Sequence, residues 1–164
     1  MELQKLVRAA LFTAIIAVSA LVSIPFFGVP FTLQVMALFL SCLLQPFKYA
    51  LLSVICYLVL GIAGLPVFSG GRAGLGIILG PTGGFLIGFL LFPFFISLLK
   101  KKILGMSISI VLLYIIGILW LSYFAKLSYA NAFKAVMLFI PMDFIKMFLS
   151  YMIYKKIDRN IKIT

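Results

Sequence analysis

Long apolar runs occupy most of this chain, and the polar residues fall mainly between them. A helix needs about 20 apolar residues, within a range of about 17 to 25, to cross the hydrocarbon core of a membrane. By this criterion the pattern predicts six membrane-spanning helices, of which the second is unusually short. Their expected bounds are 6–24, 31–44, 47–63, 83–99, 103–125 and 133–154.

Composition supports the same fold class. Hydrophobic residues make up 65% of the 164 residues and charged residues only 10%, which leaves no surface for a soluble domain. The segments between apolar runs are short, none is a Ser, Pro or charge-rich linker, and the first run lacks a signal-peptide cleavage site. We therefore expect an all-α membrane protein in which residues 1–164 form a single polytopic membrane domain.

The segment 61–88 interrupts the apolar pattern with repeated glycines, Pro66, Pro81 and Arg72. Each Gly costs about 1 kcal/mol of helix propensity and Pro about 3 kcal/mol, so this segment cannot be one uninterrupted helix. Irregular backbone within a membrane must face protein or a water-lined cavity. Broken segments of this kind mark binding sites in transporters, although a re-entrant connection packed through glycine is the alternative.

The net charge of +11 does not indicate nucleic-acid binding, because the cations lie at the ends of apolar runs. With the N-terminus inside, the cytoplasmic side carries Lys5, Arg8, Lys48, Lys100, Lys101, Lys102, Lys155, Lys156, Arg159 and Lys162, and the outer side only Arg72, Lys126 and Lys134. The positive-inside rule therefore predicts that both termini are cytoplasmic. We expect a multi-pass protein of a bacterial or archaeal plasma membrane.

The chain contains too few reactive side chains for most kinds of catalysis. The chain has no His and three acids, Glu2, Asp143 and Asp158, so it cannot assemble paired carboxylates or a hard-metal site. It has no phosphate loop or dinucleotide fingerprint, and Cys42 and Cys56 fit apolar filler. We expect neither an enzyme nor a protein with a metal or cofactor.

Asp143 is the only acid inside an apolar span, and it precedes Lys146 by three residues on the same helix face. Ionised residues at the centre of a membrane helix cost about 2.5 to 3.5 kcal/mol and usually face the bundle interior for a functional reason. A purely structural ion pair is the alternative. Arg72 is a second candidate cation, with a planar fork suited to a carboxylate, or else a solvated loop residue.

Three segments together resemble the BioY family, the biotin-specific S components of energy-coupling factor (ECF) transporters. They are VPFTLQ at 29–34, the stretch 57–89 with GLPVF, SGG and GPTGGFLIGF, and FIPMDFIK at 139–146. The resemblance covers essentially the whole chain. It implies a six-transmembrane-helix bundle of the ECF S-component type that captures biotin from the extracellular side and has no motor of its own.

The resemblance also implies roles for individual residues. Asp143 would accept a hydrogen bond from a ureido N–H of biotin, and either Lys146 or Arg72 would hold the carboxylate. Amide or side-chain groups around Ser69, Gly70 and Gly71 would reach the remaining polar atoms of the ring. The other candidates are Tyr57, Phe68 and Trp120 as ring walls or packing anchors, and Gln34 and Thr82 as ligand contacts, caps or interhelical bonds.

The first span has small residues at Ala9, Thr13 and Ala17 and again at Ala10 and Ala14, a spacing that allows close helix approach. By resemblance, Ala10 and Ala14 would dock the transmembrane coupling subunit, which acts with two ATPase subunits in the membrane. Packing within the chain's own bundle is the alternative. Two other functions also remain open: an S component for another small carboxylated vitamin, or a non-transporting interaction subunit with a structural Asp143/Lys146 pair.

Overall fold

Helices dominate the computed structural model, which describes residues 2–26 and 29–161. Within these ranges nine helices and one two-stranded hairpin follow each other along the chain. The helices are α1 (Glu2–Leu21), α2 (Gln34–Leu44), α3 (Phe47–Ile62), α4 (Leu75–Ile78), α5 (Gly83–Gly88), α6 (Leu91–Leu98), α7 (Lys102–Ala125), α8 (Tyr129–Val136) and α9 (Phe139–Ile161), and the strands are β1 (Ser23–Phe26) and β2 (Val29–Thr32).

Six apolar helical segments correspond to the six predicted spans. Helices α1 and α7 are each long and apolar enough to cross a membrane, and α8 with α9 meets the same criterion as one bent pair. Helices α2 and α3 and the stretch Gly83–Leu98 are apolar but shorter. Of the cations used to predict the orientation, Lys162 lies outside the described residues.

The predicted boundaries between the first two spans are wrong. Helix α1 ends at Leu21 rather than at residue 24, and α2 begins at Gln34 rather than at residue 31. Between them β1 and β2 form an antiparallel hairpin that aligns Pro25 with Pro30. The residue before a proline is disfavoured in a helix, so each proline favours extended backbone where hydrophobicity alone predicted a span.

The predicted sixth span is broken near its start. Helix α8 ends at Val136, α9 begins at Phe139, and the two axes differ by 45°. Pro141 explains the break, because proline lacks an N–H donor and its ring clashes with the carbonyl four residues earlier, here that of Met137. The bend determines the direction of the first turns of α9, which carry Asp143.

The core lies where α2 packs against α1, α6 and α9, and where α7 packs against α5, α6 and α9. Phe39 of α2 and Phe92 of α6 are fully buried there, with ring centroids 5.1 Å apart. Aromatic pairs at this spacing add to the stabilisation that apolar burial provides. The packing places the N-terminal ends of α2 and α9 side by side.

One small-residue stripe of α1 is used inside the bundle. The Ser53 hydroxyl of α3 donates to the Ala9 carbonyl oxygen at 3.0 Å, and the Thr13 hydroxyl donates to the Ser53 carbonyl oxygen at 3.2 Å. Ala10 and Ala14 remain exposed. They line an apolar groove of about 620 Å³ between α1 and α3. Packing within the chain therefore leaves the stripe of Ala10 and Ala14 accessible.

Candidate functional site

A partly open cavity of about 70 Å³ lies where the N-terminal ends of α2 and α9 meet the glycine-rich segment. Strand β2, α5 and α7 complete its walls, so residues far apart in sequence contribute to one site. Aromatic and aliphatic side chains form most of the lining, and a few polar groups converge within it. The polar lining residues are Thr32, Gln34, Ser69, Arg72, Thr82, Tyr114, Asp143 and Lys146.

Asp143 and Lys146 form a buried ion pair in this cavity. Lys146 Nζ lies 2.7 Å from Asp143 Oδ1, and the two residues are only 4% and 6% exposed. Lys146 Nζ also donates to the Thr32 carbonyl oxygen at 2.6 Å and lies 3.8 Å from the centroid of the Phe31 ring. These contacts offset the cost of burying a charge, and they position the lysine tightly.

Tyr114 is the second partner of the buried carboxylate. Its hydroxyl donates to Asp143 Oδ2 at 2.8 Å from the facing helix α7. An ionised carboxylate offers about four acceptor sites. Each oxygen of Asp143 accepts one hydrogen bond, from Lys146 or from Tyr114, and keeps capacity for another. Sequence reasoning missed Tyr114, because no local spacing connects it with an acid 29 residues away on another helix.

Gln34 is fixed by a hydrogen-bonded chain. Its amide nitrogen donates to the Tyr57 hydroxyl at 2.6 Å, and its amide oxygen accepts from the Thr32 hydroxyl at 3.0 Å. Tyr57 is fully buried and does not line the cavity. It instead packs edge-on against Phe68, which does line it, with ring centroids 5.6 Å apart. Tyr57 therefore supports the wall from behind.

The glycine-rich segment covers one side of the cavity, as its composition predicts. Gly70 and Gly71 form the tip of a turn with φ of 70° and 74°, values that favour glycine. Neither glycine lines the cavity, whereas Ser69 and Arg72 beside them do. The Gly70 amide donates to the Ala20 carbonyl oxygen at 3.3 Å, so the turn is tied to the end of α1.

Arg72 occupies the edge of this cover. It lines the cavity and is also exposed, and its Nε donates to the Ser69 carbonyl oxygen at 3.0 Å. Among the described residues, no hydrogen bond or ion pair engages its two terminal nitrogens. The hydroxyls of Ser69 and Ser23 are 2.9 Å apart, which ties the same turn to β1.

Two further candidates differ in their position. Thr82 is buried and lines the cavity beside α5, without a side-chain capping bond. Trp120 does not line the cavity, because its Nε1 donates to the Gly80 carbonyl oxygen at 2.8 Å and its side chain packs against Gly84. Trp120 therefore anchors the connection before α5. The aromatic wall residues that sequence reasoning missed are Phe31, Phe85, Phe89 and Phe139.

The described residues contain no group of three or more His, Cys, Asp or Glu side chains placed to hold a metal ion. The free cysteines in this part of the chain, Cys42 and Cys56, lie outside the Asp143 cavity. The polar groups that line the cavity are one buried carboxylate, two cations and several neutral side chains.

Comparison with known proteins gives one consistent result. A biotin transporter BioY of Thermotoga maritima is 48% identical over 100 residues, which cover 61% of this chain and 59% of that protein. A probable biotin transporter BioY of Pyrococcus horikoshii is 34% identical over 162 residues, with 98% of this chain and 99% of that protein covered.

A crystal structure of the S component for biotin from an ECF-type ABC transporter has the same fold, with a TM-score of 0.88 and 28% identity. The match covers 96% of this chain and 92% of that one. It confirms the predicted six-helix bundle of the S-component type within a multi-pass membrane protein. The BioY family model matches residues 1–163, and this chain therefore belongs to the BioY family.

Proposed function

We propose that this chain is the biotin-capturing S component of an ATP-driven vitamin importer of the ECF type. The observation that carries the proposal is the cavity that combines the buried Asp143 carboxylate, aromatic walls and the Arg72 guanidinium at its edge. Pockets for small molecules are mostly apolar, with a few placed polar groups that orient the ligand. The chain is accordingly a transport subunit and not an enzyme.

The ureido end of biotin fits the buried part of the cavity. A ureido group has two N–H donors, and Asp143 keeps acceptor capacity on both carboxylate oxygens beside Tyr114 and Lys146. A hydrogen bond to an ionised acceptor is stronger than one between neutral groups. We infer that Asp143 accepts a ureido N–H, while Gln34, Thr82 and Ser69 are available to the remaining polar atoms of the ring.

The carboxylate end fits Arg72 better than Lys146. Lys146 Nζ has three donors and already contacts the Asp143 carboxylate, the Thr32 carbonyl and the Phe31 ring. The terminal nitrogens of Arg72 are uncommitted among the described residues, and guanidinium binds carboxylates with two parallel hydrogen bonds. We assign the biotin carboxylate to Arg72 and a positioning role for Asp143 to Lys146.

We also propose which subunits this chain binds and how it is oriented in the membrane. A transmembrane coupling subunit docks at the groove that contains Ala10 and Ala14, and two ATPase subunits supply the motor. Both termini are cytoplasmic, because the cation distribution then obeys the positive-inside rule. The glycine-rich cover consequently faces outward, biotin enters from outside, and reorientation of the bundle by the motor releases it inside.

The test is to identify the ligand on the purified chain. Extraction of the folded, detergent-purified protein followed by mass spectrometry should give one biotin per chain, and calorimetry should show binding of biotin but not of lipoate. Lipoate shares the carboxylate and lacks the ureido group. A different vitamin at full occupancy would overturn the choice of ligand, and no small molecule at all would favour the structural ion pair.

A transport assay tests the assignment to an importer separately. A biotin auxotroph that expresses this chain with the coupling and ATPase subunits should grow on low biotin. Growth should be lost when the ATPase subunits carry inactive nucleotide sites. Equal growth with inactive sites would contradict an ATP-driven mechanism while leaving the capture of biotin intact.

A further inference from the structure

The groove between α1 and α3 has the length of a lipid chain. It follows α1 from Leu6 to Val18 and has a volume of about 620 Å³. At a rise of 1.5 Å per residue this stretch of helix is about 18 Å long. One leaflet is half of the hydrocarbon core, or about 15 Å deep. A single acyl chain of one leaflet can therefore lie along the whole groove.

The lining of the groove is almost entirely apolar. Apart from Thr13 and Cys56 it consists of aliphatic side chains, and the Thr13 hydroxyl lies within hydrogen-bond distance of the Ala9 and Ser53 carbonyl oxygens, at 2.9 and 3.2 Å. The small side chains of α1 keep the surface concave, so an occupant gains dispersion contacts on several sides. An apolar chain suits such a lining.

Two lysines lie at one end of the groove. Lys5 precedes Ala9 by four residues on α1, and Lys48 precedes Leu52 by four residues on α3, so each stands one turn beyond a lining residue on the same helix face. The two Nζ atoms each lie 5.9 Å from the centroid of the Tyr49 ring. The ammonium groups are therefore at most twice this distance apart, and both can act on one headgroup.

The charges around this end of the groove sum to a cationic site. Its acid is Glu2, whose carboxylate accepts a hydrogen bond from the Tyr49 hydroxyl. Exposed Arg8 follows Lys5 by three residues on α1, so three cations stand against one carboxylate. Asp158 lines a different cavity. Basic residues beside the ends of membrane helices attract anionic headgroups, and each cation adds to the attraction.

The headgroup must supply the selectivity of this groove. Lipid tails around the protein are as apolar as the groove itself, so the acyl chain gives no preference between lipids that carry the same tails. A phosphodiester without a compensating ammonium keeps its negative charge, and Lys5 and Lys48 then favour it over a zwitterionic headgroup.

We propose that the groove between α1 and α3 binds one anionic phospholipid of the phosphatidylglycerol type. Its phosphate lies at Lys5 and Lys48, and one acyl chain runs along Ala10 and Ala14. Because the proposed function docks the coupling subunit at the same groove, the lipid occupies the free chain and leaves when that subunit docks. The tests use the chain without partners and without biotin, so failure of this proposal and failure of the proposed function are distinguishable.

Native mass spectrometry of the full-length chain, released from nanodiscs, tests the choice of lipid. The nanodiscs contain equal amounts of phosphatidylglycerol and phosphatidylcholine with identical acyl chains. Retained phosphatidylglycerol should exceed phosphatidylcholine by about tenfold, because the cations at the end of the groove act on a net negative headgroup. A preference below about twofold, or a preference for the choline lipid, would overturn the proposal.

Two double variants with the same loss of charge locate the headgroup. Lys5→Gln/Lys48→Gln should abolish the preference for phosphatidylglycerol. Lys155→Gln/Lys156→Gln should preserve it, because these exposed lysines of α9 lie at the same end of the bundle and outside the groove. All four side chains are exposed or half-buried, so both variants should fold. An equal fall in both would indicate attraction by overall charge and would overturn a defined site.

A third variant locates the acyl chain independently of charge. Ala10→Leu/Ala14→Leu should lower the retained phosphatidylglycerol by about tenfold, because the added side chains take the space of the chain and remove its contacts. Ala130→Leu, exposed on α8, should retain as much lipid as the wild type. Unchanged retention in the double variant would overturn the placement of the chain in the groove.

The source of the phosphate is tested in detergent. Phosphatidylglycerol should raise the melting temperature of the purified chain, whereas soluble glycerol phosphate at millimolar concentration should not, because it has no chain to contact the groove. Equal stabilisation by the soluble phosphate would overturn a lipid as the occupant.

Discussion

Gly61, in the last turn of α3, lies in direct contact with the ring of Phe68, so that a Cβ atom on Gly61 would overlap that ring. The Gly61 carbonyl oxygen also accepts from the Gly74 amide at 2.7 Å. Phe68 is fully buried and forms a wall of the Asp143 cavity. A glycine outside the cavity therefore determines where one of its aromatic walls stands.

We expect Gly61→Ala to weaken biotin binding by about tenfold. The added methyl must displace the Phe68 ring toward the cavity, and overpacking of a core costs roughly 1 to 3 kcal/mol. Calorimetry on the purified variant measures the effect. The matched control is Gly76→Ala in α4, where an added Cβ meets nothing within 4 Å, and its affinity should equal that of the wild type.

Asp143→Asn should weaken biotin binding by about ten- to a hundredfold. A hydrogen bond to a charged group contributes roughly 1.5 to 3 kcal/mol, and tenfold in the dissociation constant corresponds to about 1.4 kcal/mol. The measurement is calorimetric titration of the folded variant together with its melting temperature. Wild-type affinity would remove Asp143 as the ureido acceptor, even if the unpaired Lys146 lowered the stability.

Tyr57→Phe should lower the stability of the protein more than its affinity for biotin. The substitution removes the hydroxyl that accepts from Gln34 at 2.6 Å and leaves that amide without its acceptor, at a cost of about 1 to 3 kcal/mol in the free energy of unfolding. Because Tyr57 does not line the cavity, biotin affinity should change less than in Asp143→Asn. A larger loss of affinity than in Asp143→Asn would place Tyr57 in direct contact with ligand.

The sequence predicted the bundle and named most of the polar residues that line the Asp143 cavity. Their roles in binding stay a prediction. Apolar runs indicate helices, and an isolated acid inside an apolar span, such as Asp143, indicates either a binding site or a structural ion pair. The pairing of β1 with β2 and the break before Phe139 were missed because Pro25, Pro30 and Pro141 act on backbone geometry, which hydrophobicity does not reveal.

Long-range pairings were beyond sequence reasoning for a different reason. Tyr114 reaches Asp143 only because α7 packs beside α9, and Tyr57 lies behind Phe68 only because the segment after α3 folds back over that helix. Neither contact produces a residue spacing that can be recognised in the sequence. The role of Lys146 required the same information, since its contacts to Thr32 and Phe31 become visible only in three dimensions.

The assignment of the carboxylate to Arg72 predicts a specific pattern of ligand selectivity. The wild type should bind biotin at least tenfold more tightly than uncharged biotinamide. The amide of biotinamide cannot form the charge-assisted pair that the biotin carboxylate forms with Arg72. Arg72→Gln should bind both equally, and Arg72→Lys should recover part of the difference. Calorimetric titration with both ligands provides the comparison. A full preference for biotin in Arg72→Gln would transfer the carboxylate to Lys146.

The docking assignment predicts a defect in assembly without a defect in capture. In the double variant Ala10→Leu/Ala14→Leu, the added bulk fills part of the groove between α1 and α3, so less coupling subunit should co-purify and uptake should fall while biotin affinity is unchanged. Ala130→Leu, also exposed but on α8, is the matched control. Normal complex yield and uptake in the double variant would exclude this groove as the docking face.

The orientation predicts which end of the bundle an impermeant reagent can reach. Lys101→Cys, just before α7, should be protected from a maleimide that is added outside intact cells, because the turn at 100–102 is cytoplasmic in the proposed topology. Lys134→Cys, exposed on α8, should react. Both changes are made in a background that lacks Cys42 and Cys56, and permeabilised cells confirm that the first cysteine is reactive. Labelling of Lys101→Cys in intact cells, with Lys134→Cys protected, would invert the topology and with it the face from which biotin enters.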